Sequence, residues 1–442
     1  MEPLRSEERT PESSELVSLS TELPEVVPVR TALEAADSPR TFWSVPGEPT
    51  VVGSGAAWTL IAEGPDRFDD IRSEAETLFE TVEIAGTTVA RPRVFGGFSF
   101  HHDHTGGDPW KGFPAAKFVL PGIQITYDED RAWVTVNAVD VPRADVKQRL
   151  DTIRTELPDR APSDSPADPP GIKSRTRTTS LDVWRDSVSS ATDRIERGEL
   201  EKVVLAQALE AQLNRTPKSS DIVMRLEESY PDCFRFVFDE GSASFLGATP
   251  ERLVDLRGRT VETGALAGTT GRGDTPEEDD WLAAELLDDD KNRHEHELVV
   301  DAIGEQLAPF ASSIRTGDRD VRKLATVQHI ETPITSTLED DEHVLSLVEA
   351  LHPTPAVGGL PPDVALSTIR ETESFRRGWY AAPIGWFDAA GDGSFAVAIR
   401  SAITRDDVAT LFAGVGIVAD SDPDLEWEEV QLKYRPILDE LE

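Results

Sequence analysis

A series of short apolar stretches, separated by turn-forming residues, constrains the fold more than any other feature of the sequence. Four of these stretches follow one another: Phe234–Phe238, Ser244–Gly247, Leu253–Leu256 and Thr260–Thr263. Three more lie nearer the end of the chain: Ala381–Phe387, Ser394–Ile403 and Ala409–Val418. Turn signals such as Arg257-Gly258-Arg259 connect neighbouring stretches, and such short connections join antiparallel strands. The sequence therefore predicts mostly antiparallel sheet.

A predicted helix over Asp288–Leu307 carries a carboxylate inside its apolar stripe. Residues at helical spacing form this stripe: Glu295, Leu298, Val299, Ala302 and Ile303. Glu297 falls on the opposite side and is expected to be solvated. An ionised carboxylate in a buried stripe is costly unless a cation or hydrogen-bond donors neutralise it. Glu295 is therefore either a metal ligand or a half-exposed carboxylate at the positive end of the helix.

A second helix with the same property is predicted near the C-terminus, over Asp422–Ile437, where a proline follows the first residue. One face of this helix mixes carboxylates, a lysine and apolar residues: Glu426, Glu429, Val430, Lys433 and Ile437. Two such helices facing one cleft would form an all-oxygen site. Hard oxygen ligands with open positions suit Mg²⁺ that is shared with an anionic substrate.

Two basic residues stand in apolar strand patterns. Lys202 begins the predicted strand Glu201–Leu213, either as a functional amine or as a strand-end lysine that reaches solvent. Arg400 lies between Ile399 and Ser401, and a buried arginine usually meets a carboxylate, which belongs to the protein or to a ligand. The histidines His101, His102 and His104 lack a consistent metal-ligand spacing and are interpreted as loop residues.

The charge balance excludes a nucleic-acid surface, because 83 acidic residues against 44 basic ones give a formal net charge of −39. A hydrophobic content of 38% with strong periodicity indicates a folded protein with an acidic surface, as expected in a cytoplasm at very high salt. The single cysteine, Cys233, rules out an internal disulfide and fits a reducing cytoplasm. Neither a signal peptide nor a membrane-spanning run is evident.

Composition also suggests how the chain is divided. Residues 1–25 are predicted to form an acidic flexible tail, and residues 26–156 an N-terminal subdomain of mixed strands and helices. Residues 157–180 are rich in proline, serine and aspartate, which predicts a linker or a long surface loop. Residues 181–442 then form the region that contains the candidate site.

Ordered motifs over some 260 residues, from about Leu181 to the C-terminus, resemble the chorismate-utilising enzymes. The matching stretches are KVVLAQ (202–207), FLGATPERL (245–253), ALAGT (265–269), KNRHEH (291–296), HPTPAVGGLP (352–361), RGWYAAPIGW (377–386), VAIRSA (397–402), AGVGIVADSDP (413–423) and EWEEVQLK (426–433). The resemblance implies an α+β type of α/β fold, with large layered, mostly antiparallel sheets and outer helices. Residues 26–156 would be the more variable subdomain of that fold.

The resemblance also implies roles for individual residues. Lys202 matches the general base that activates water, and Glu251 matches the general acid that protonates the departing hydroxyl group. The matched Mg²⁺ ligands are Glu295 and Glu429, with Glu426 nearby. The matched substrate contacts are Gly268, Thr269, Tyr380, Arg400, Gly414, Gly416 and Lys433. A lysine base must be neutral, and Glu251 must be protonated, which apolar surroundings favour.

Within the family, Lys202 favours a water-using member over the amine-transferring synthases, which usually have glutamine or another residue there. The loop HPTPAVGG also differs from the GT-x-x-GAPK-like loop of the amine-transferring members. The resemblance therefore implies an Mg²⁺-dependent isochorismate synthase that adds water at C2 and loses the C4 hydroxyl of chorismate, without an obligatory protein partner. Menaquinone synthesis is the expected pathway, with siderophore synthesis as the alternative.

Three alternatives stay open: a salicylate synthase, an anthranilate or aminodeoxychorismate synthase, and a non-catalytic binding protein of this fold. Two residues depart from the family pattern. Gln207 replaces a frequent arginine, and Ala382 replaces a frequent glycine. Because neither residue is a proposed acid or base, these departures concern rate more than reaction class.

Overall fold

The computed structural model describes residues 15–158 and 165–442, which form one mixed α/β structure. Its strands are β1 (Leu16–Glu22), β2 (Arg40–Ser44), β3 (Thr50–Ala62), β4 (Val82–Ala85), β5 (Arg93–Phe98), β6 (Ala116–Asp128), β7 (Arg131–Val139), β8 (Ile172–Arg177), β9 (Lys202–Leu213), β10 (Phe234–Asp239), β11 (Ser244–Thr249), β12 (Arg252–Arg257), β13 (Thr260–Gly271), β14 (Ala311–Thr316), β15 (Asp320–Lys323), β16 (Val327–Leu338), β17 (Gly359–Leu360), β18 (Pro383–Asp388), β19 (Gly393–Val397), β20 (Ser401–Arg405) and β21 (Val408–Ile417). Its helices are α1 (Val29–Ala35), α2 (Arg67–Glu80), α3 (Arg143–Glu156), α4 (Leu181–Glu196), α5 (Ser219–Ser229), α6 (Pro276–Asp288), α7 (Asp290–Leu307), α8 (Val344–Leu351), α9 (Pro362–Thr372) and α10 (Pro423–Leu438), with a short 3₁₀ turn at Thr88–Ala90.

The predicted antiparallel sheet is confirmed. A continuous path of antiparallel pairs runs β9–β21–β20–β11–β10–β2–β3–β6–β5–β18–β19–β12–β13–β16. The pairing of β1 with β4 is parallel. Strands before and after residue 157 share this one network, because β2 pairs with β10 and β5 pairs with β18. The proposed division into an N-terminal subdomain and a catalytic region stays a prediction.

Burial of entire strands indicates that the sheet is covered on both faces. Every residue of β10, β18 and β19 is buried, whereas a strand with one solvated face alternates between buried and exposed residues. Aromatic side chains fill the space between the layers. The ring of Trp110 stacks on that of Phe412 with centroids 5.3 Å apart, and the ring of Phe113 meets that of Trp379 at 5.2 Å. Cys233 is buried in this core, as predicted.

The two helices predicted to carry the site begin at well-formed N-caps. The Asp289 side chain accepts a hydrogen bond from the Asn292 amide, so α7 starts at Asp290 and the preceding residues end α6. The Asp422 side chain accepts hydrogen bonds from the first turn of α10. Both helices therefore begin close to the positions that the sequence indicates.

Several predictions about irregular segments were wrong. Leu16–Glu22, assigned to the flexible tail, is a strand, because it pairs along its length with β7; residues 1–14 of that tail lie outside the described part. Ile172–Arg177, assigned to the linker, pairs with β9, whereas residues 159–164 of the linker are also outside it. Arg400 is not inside a strand: it lies between β19 and β20 with a positive φ of 52°.

None of the helices in residues 15–158 and 165–442 combines the length and the hydrophobicity that a bilayer-spanning helix needs.

Candidate active site

Five elements bring most of the candidate residues together. β9 and β21 are paired so that Gly416 lies opposite Val204 and Gly414 opposite Ala206. Helix α10 packs on β21, and α7 packs on β13. The N-terminal halves of α7 and α10 therefore face the start of β9 and the end of β21, and Lys202 is the first residue of β9.

A small cavity lies among these elements. Its volume is about 50 Å³, well below the roughly 300–1,000 Å³ that is usual for ligand pockets. Ten of the twelve residues proposed from the sequence line it: Glu251, Gly268, Thr269, Glu295, Tyr380, Arg400, Gly414, Gly416, Glu429 and Lys433. Because it is smaller than a ring-shaped metabolite, the site must widen to admit one. Larger cavities occur elsewhere in the described residues, but they do not hold this set of side chains.

Lys202 and Glu295 form a buried ion pair beside this cavity. The distance between Lys202 Nζ and Glu295 Oε1 is 2.9 Å, and the lysine is fully buried. The idea that Lys202 reaches solvent was therefore wrong. Gly416 permits the pair: a Cβ at this position would lie 2.4 Å from Glu295 Oε1 and 2.8 Å from Lys202 Cε. Burial raises the pKa of Glu295, but Lys202 and the other nearby lysines outweigh it and hold this pKa below its usual value.

Glu251 is a buried carboxyl group with an unusually high pKa. It lies between β11 and β12, and its side chain lines the cavity. Burial raises its pKa to about 7, although Arg400, Lys202 and Lys433 act in the opposite direction. Near neutral pH a large fraction of Glu251 is therefore protonated and able to donate a proton. The sequence-based requirement for a protonated acid is consistent with this environment.

Arg400 continues into a hydrogen-bond chain that the sequence did not reveal. Its Nη2 donates to Nε2 of His329 at 3.2 Å, and Nδ1 of His329 lies 3.0 Å from the Thr269 hydroxyl oxygen. Because guanidinium can only donate, His329 must carry its proton on Nδ1 and donate it to Thr269. Burial and the charge of Arg400 hold the pKa of His329 well below its usual value, so the ring is neutral. The hydroxyl proton of Thr269 is then free to point into the cavity.

Tyr380 and Lys433 border the cavity from the side of β21. The Tyr380 ring stacks on Phe412 with centroids 5.2 Å apart, and burial raises the pKa of its phenol, which therefore stays protonated. Lys433 Nζ donates to the Gly414 carbonyl at 3.1 Å and lies 2.6 Å from Glu429 Oε1. Together with Arg400, these groups place donors and positive charge where an anionic ligand would lie.

A buried ion pair fixes the neighbouring backbone. The Arg377 guanidinium contacts Glu373 and donates to the carbonyls of Val204 and Val357, and Glu373 accepts from the Ala206 amide. Both side chains are almost fully buried, and removal of one partner of such a pair is strongly destabilising. This pair therefore holds β9 just after Lys202, at the wall of the cavity.

Each of the three proposed metal ligands forms an ion pair with a lysine. Besides the pairs Lys202–Glu295 and Lys433–Glu429, Lys291 Nζ lies 3.0 Å from Glu426 Oε1. No three acidic, histidine or cysteine side chains in the described residues lie close enough together to enclose a metal ion as they stand. The donor chemistry nevertheless fits Mg²⁺, because all three carboxylates interact with the single ammonium group of Lys291, and Glu426 and Glu429 also interact with each other.

Lys291 is the second residue that the sequence reasoning missed, although it belongs to the KNRHEH motif. It lies one helical turn before Glu295 on α7, a spacing that puts both on one face. Although burial acts to lower it, the carboxylates of Glu426, Glu295 and Glu429 raise the pKa of Lys291. His329 had a weaker signal in the sequence, as a lone histidine in an apolar strand.

The two departures from the family pattern have different surroundings. Gln207 is fully buried, and its amide has no hydrogen-bond partner among the described residues. Ala382 is also fully buried and its amide donates to the Trp379 carbonyl. Neither side chain lines the cavity, so both stay outside the proposed chemistry.

The fold and the site define a class of protein that comparison with known sequences identifies. A family model described as chorismate binding enzyme matches residues 3–442. The chain therefore belongs to the chorismate-binding enzyme family, which confirms the resemblance and the fold that the motifs predict.

Individual proteins of known sequence or structure are similar to most of the chain. The chain is 34% identical over 413 residues to isochorismate synthase MenF of Bacillus subtilis, covering 91% of this chain and 88% of that protein. It is 36% identical over 426 residues to the salicylate biosynthesis isochorismate synthase of Pseudomonas aeruginosa, covering 95% and 88%. The solved structure of MenF, the menaquinone-specific isochorismate synthase of Escherichia coli, superposes with a TM-score of 0.80 at 26% identity, covering 97% of this chain and 95% of that one.

Proposed function

We propose that this protein is an isochorismate synthase, an isomerase that converts chorismate to isochorismate by adding water at C2 and releasing the C4 hydroxyl. The observation that carries this proposal is one small cavity that is lined by Glu251, a carboxyl group with a pKa of about 7, and by Glu295, whose carboxylate contacts the amine of Lys202. Two relatives that match 91% and 95% of the chain are isochorismate synthases by name, which supports the same reaction.

The two groups divide the proton transfers between them. Glu251 donates its proton to the C4 oxygen as that hydroxyl leaves, because departure as water is far easier than departure as hydroxide. Lys202 accepts a proton from the water that attacks C2, and its amine must be unprotonated at that moment. Lys202 and Glu251 are both buried, which strengthens the electrostatic interactions that stabilise the transition state.

We further propose that Glu295 and Glu429 hold Mg²⁺, with Glu426 nearby. When it is bound, the ion neutralises the ring carboxylate of the substrate and charge that develops at the reacting face. Arg400, Tyr380, Lys433 and Thr269 orient the substrate through its carboxylates, and the amides near Gly414 and Gly416 contribute further donors. Gly268, which has a positive φ of 79°, lets β13 pass close to Asn292 beside the site.

Product analysis tests the proposed reaction. The purified protein, incubated with chorismate and Mg²⁺ at high KCl, is expected to yield isochorismate without pyruvate. Pyruvate in an amount equal to the chorismate consumed would indicate a salicylate synthase. A requirement for ammonia, with an amino group in the product, would indicate an anthranilate or aminodeoxychorismate synthase, against which Lys202 argues.

Arg400→Lys should weaken substrate binding more than it slows the chemical step. Lysine keeps the charge but loses the planar fork, so either the contact with His329 or the contact with the substrate carboxylate is lost. We expect the KM for chorismate to rise by about tenfold, which corresponds to about 1.4 kcal/mol, with a smaller change in kcat. Steady-state kinetics measure this, with Arg405→Lys as a control on the next strand. An unchanged KM would contradict the assignment of Arg400.

The cellular setting is part of the same proposal. A net charge of −39 with only nine lysines suits a cytoplasm at very high salt. We propose menaquinone synthesis as the pathway, and no nucleic acid, membrane or obligatory protein partner.

Raising KCl should stabilise this protein strongly. Between about 0.1 M and about 1 M salt the screening length falls from about 10 Å to about 3 Å, which removes most repulsion among the surface carboxylates. Thermal unfolding is therefore expected at a markedly higher temperature in concentrated KCl. A sucrose solution of the same osmolality, which adds no ions, is the control. Full stability in dilute buffer, unchanged by KCl, would contradict the halophilic assignment.

A further inference from the structure

Lys291 links the two helices that carry the proposed metal ligands. It projects from the first turns of α7 to Glu426 on α10, and no other ion pair between these two helices occurs in the described residues. Its ammonium group also interacts electrostatically with Glu295 and Glu429. The positive charge of this one side chain thus acts on all three carboxylates. A divalent ion held by these carboxylates would have the same effect.

A second cavity lies on the outer side of the same lysine. This cavity has a volume of about 470 Å³ and is open to solvent. Lys291 lines it together with three carboxylates that have no part in the proposed chemistry: Glu201, Asp290 and Asp420. Lys291 is itself about one-third exposed. The flexible Lys291 side chain can therefore reach either of two sets of carboxylates. The inner set is Glu295, Glu426 and Glu429, and the outer set is Glu201, Asp290 and Asp420.

We propose that Lys291 is an internal counter-ion that a divalent metal displaces: it bridges α7 and α10 when the metal is absent and moves to the outer cavity when the metal binds. This rests on the proposed Mg²⁺ site but not on the reaction. It explains why the carboxylates are neutralised pairwise in the structure.

Charge accounts for the exchange. When Lys291 moves away, Glu295 and Glu429 keep their own lysines, Lys202 and Lys433, but Glu426 would be left as an unpaired carboxylate in a buried position, which is costly. A divalent ion brings one more positive charge than the ammonium group of Lys291, so it offsets this cost. The outer carboxylates reduce the cost of moving the ammonium group, because it exchanges one set of partners for another.

The first test measures metal affinity directly. Lys291→Met removes the competing charge, so the metal-stripped variant should bind Mg²⁺ at least tenfold more tightly than the unchanged protein in calorimetric titration. Arg435→Gln is the matched control, because it removes one positive charge from α10 at an exposed pair with Asp439, which belongs to neither set of carboxylates, and should leave the affinity unchanged. Equal or weaker binding by Lys291→Met would overturn the proposal.

A second variant tests the outer position with the opposite sign. Glu201→Gln combined with Asp420→Asn removes two of the outer carboxylates and should weaken Mg²⁺ binding severalfold. In the Lys291→Met background the same pair of changes should have a clearly smaller effect, because the displaced group is gone. An equal effect in both backgrounds would mean that these carboxylates attract Mg²⁺ only through their negative charge. It would overturn the proposal that they hold the displaced Lys291.

A third measurement needs no substitution, so it holds even if a variant does not fold. Brief amine acetylation followed by mass spectrometry should label Lys291 several times faster with Mg²⁺ than with a chelator. Lys323, paired with Asp279 and Asp280 away from the site, is the internal control. Unchanged labelling of Lys291 at saturating Mg²⁺ would overturn the proposal. Absence of Mg²⁺ binding would overturn the proposed metal site as well. Isochorismate formation is measured in a separate product assay and tests the proposed reaction.

Discussion

Lys202→Arg should fold normally and yet lose almost all activity. Arginine keeps a positive charge opposite Glu295, so the buried carboxylate is not left unpaired, but guanidinium does not give up a proton at accessible pH. Loss of a general base typically lowers the rate by about 10² to 10⁴. We therefore expect kcat for isochorismate formation to fall within this range while the thermal unfolding temperature changes little.

Comparison with Lys202→Met separates catalysis from stability. Methionine leaves Glu295 without its partner at 2.9 Å, and an uncompensated buried charge is destabilising by roughly 3–5 kcal/mol. This variant should lose both activity and stability, and Mg²⁺ should restore part of its stability. Lys173→Met, at an exposed position of β8, serves as the control. Retained activity in Lys202→Arg would contradict the assignment of the base and would favour a purely structural ion pair.

Glu251→Gln should remove the second proton transfer and change the pH profile. Glutamine has nearly the same shape but cannot protonate the leaving hydroxyl, so kcat should fall by about 10² to 10⁴. In the unchanged protein, kcat/KM should decrease as the pH rises above about 7, because Glu251 loses its proton there. The residual activity of the variant should lack this decrease. Glu262→Gln, at an exposed pair with Arg252, provides the control.

The same substitution has a stability effect with a definite sign. The pKa of Glu251 is about 7 in the folded state, above the usual 4.5, so the folded state holds a proton that the unfolded state has lost between these values. Stability therefore falls as the pH rises through this window, by up to roughly 3 kcal/mol. Glu251→Gln is expected to gain stability relative to the unchanged protein as the pH is raised from about 5 to about 8. A parallel pH dependence of unfolding in both proteins would contradict the raised pKa.

Periodicity was sufficient to place some candidate residues on regular elements. Glu295 and Glu429 lie on helices α7 and α10 because a carboxylate interrupts an apolar stripe at helical spacing there, whereas their role as metal ligands stays a proposal. The antiparallel pairing was likewise predictable from short connections. The environment of Lys202 was ambiguous, because a lysine at the start of a strand can face solvent or protein. Only the packing of α7, which places Glu295 against Lys202, decides between the two.

Other parts depended on contacts between distant segments. Arg400 was expected inside a strand, but the chain turns at a positive φ there and directs the side chain to His329, 71 residues away. The strand Leu16–Glu22 was hidden because its partners, β7 and β4, come much later in the sequence. Lys291 was overlooked because lysine near a helix start usually means a solvated residue. Its partner, Glu426, is 135 residues away.

Isotope labelling of the product tests the central claim most directly. Chorismate is incubated with the protein and Mg²⁺ in H₂¹⁸O at high KCl, and the isochorismate is analysed by mass spectrometry and NMR. If Lys202 activates solvent water and Glu251 releases the old hydroxyl, each product molecule carries one ¹⁸O at C2 and none elsewhere. Isochorismate without ¹⁸O, or pyruvate and an aromatic product in its place, would contradict this account.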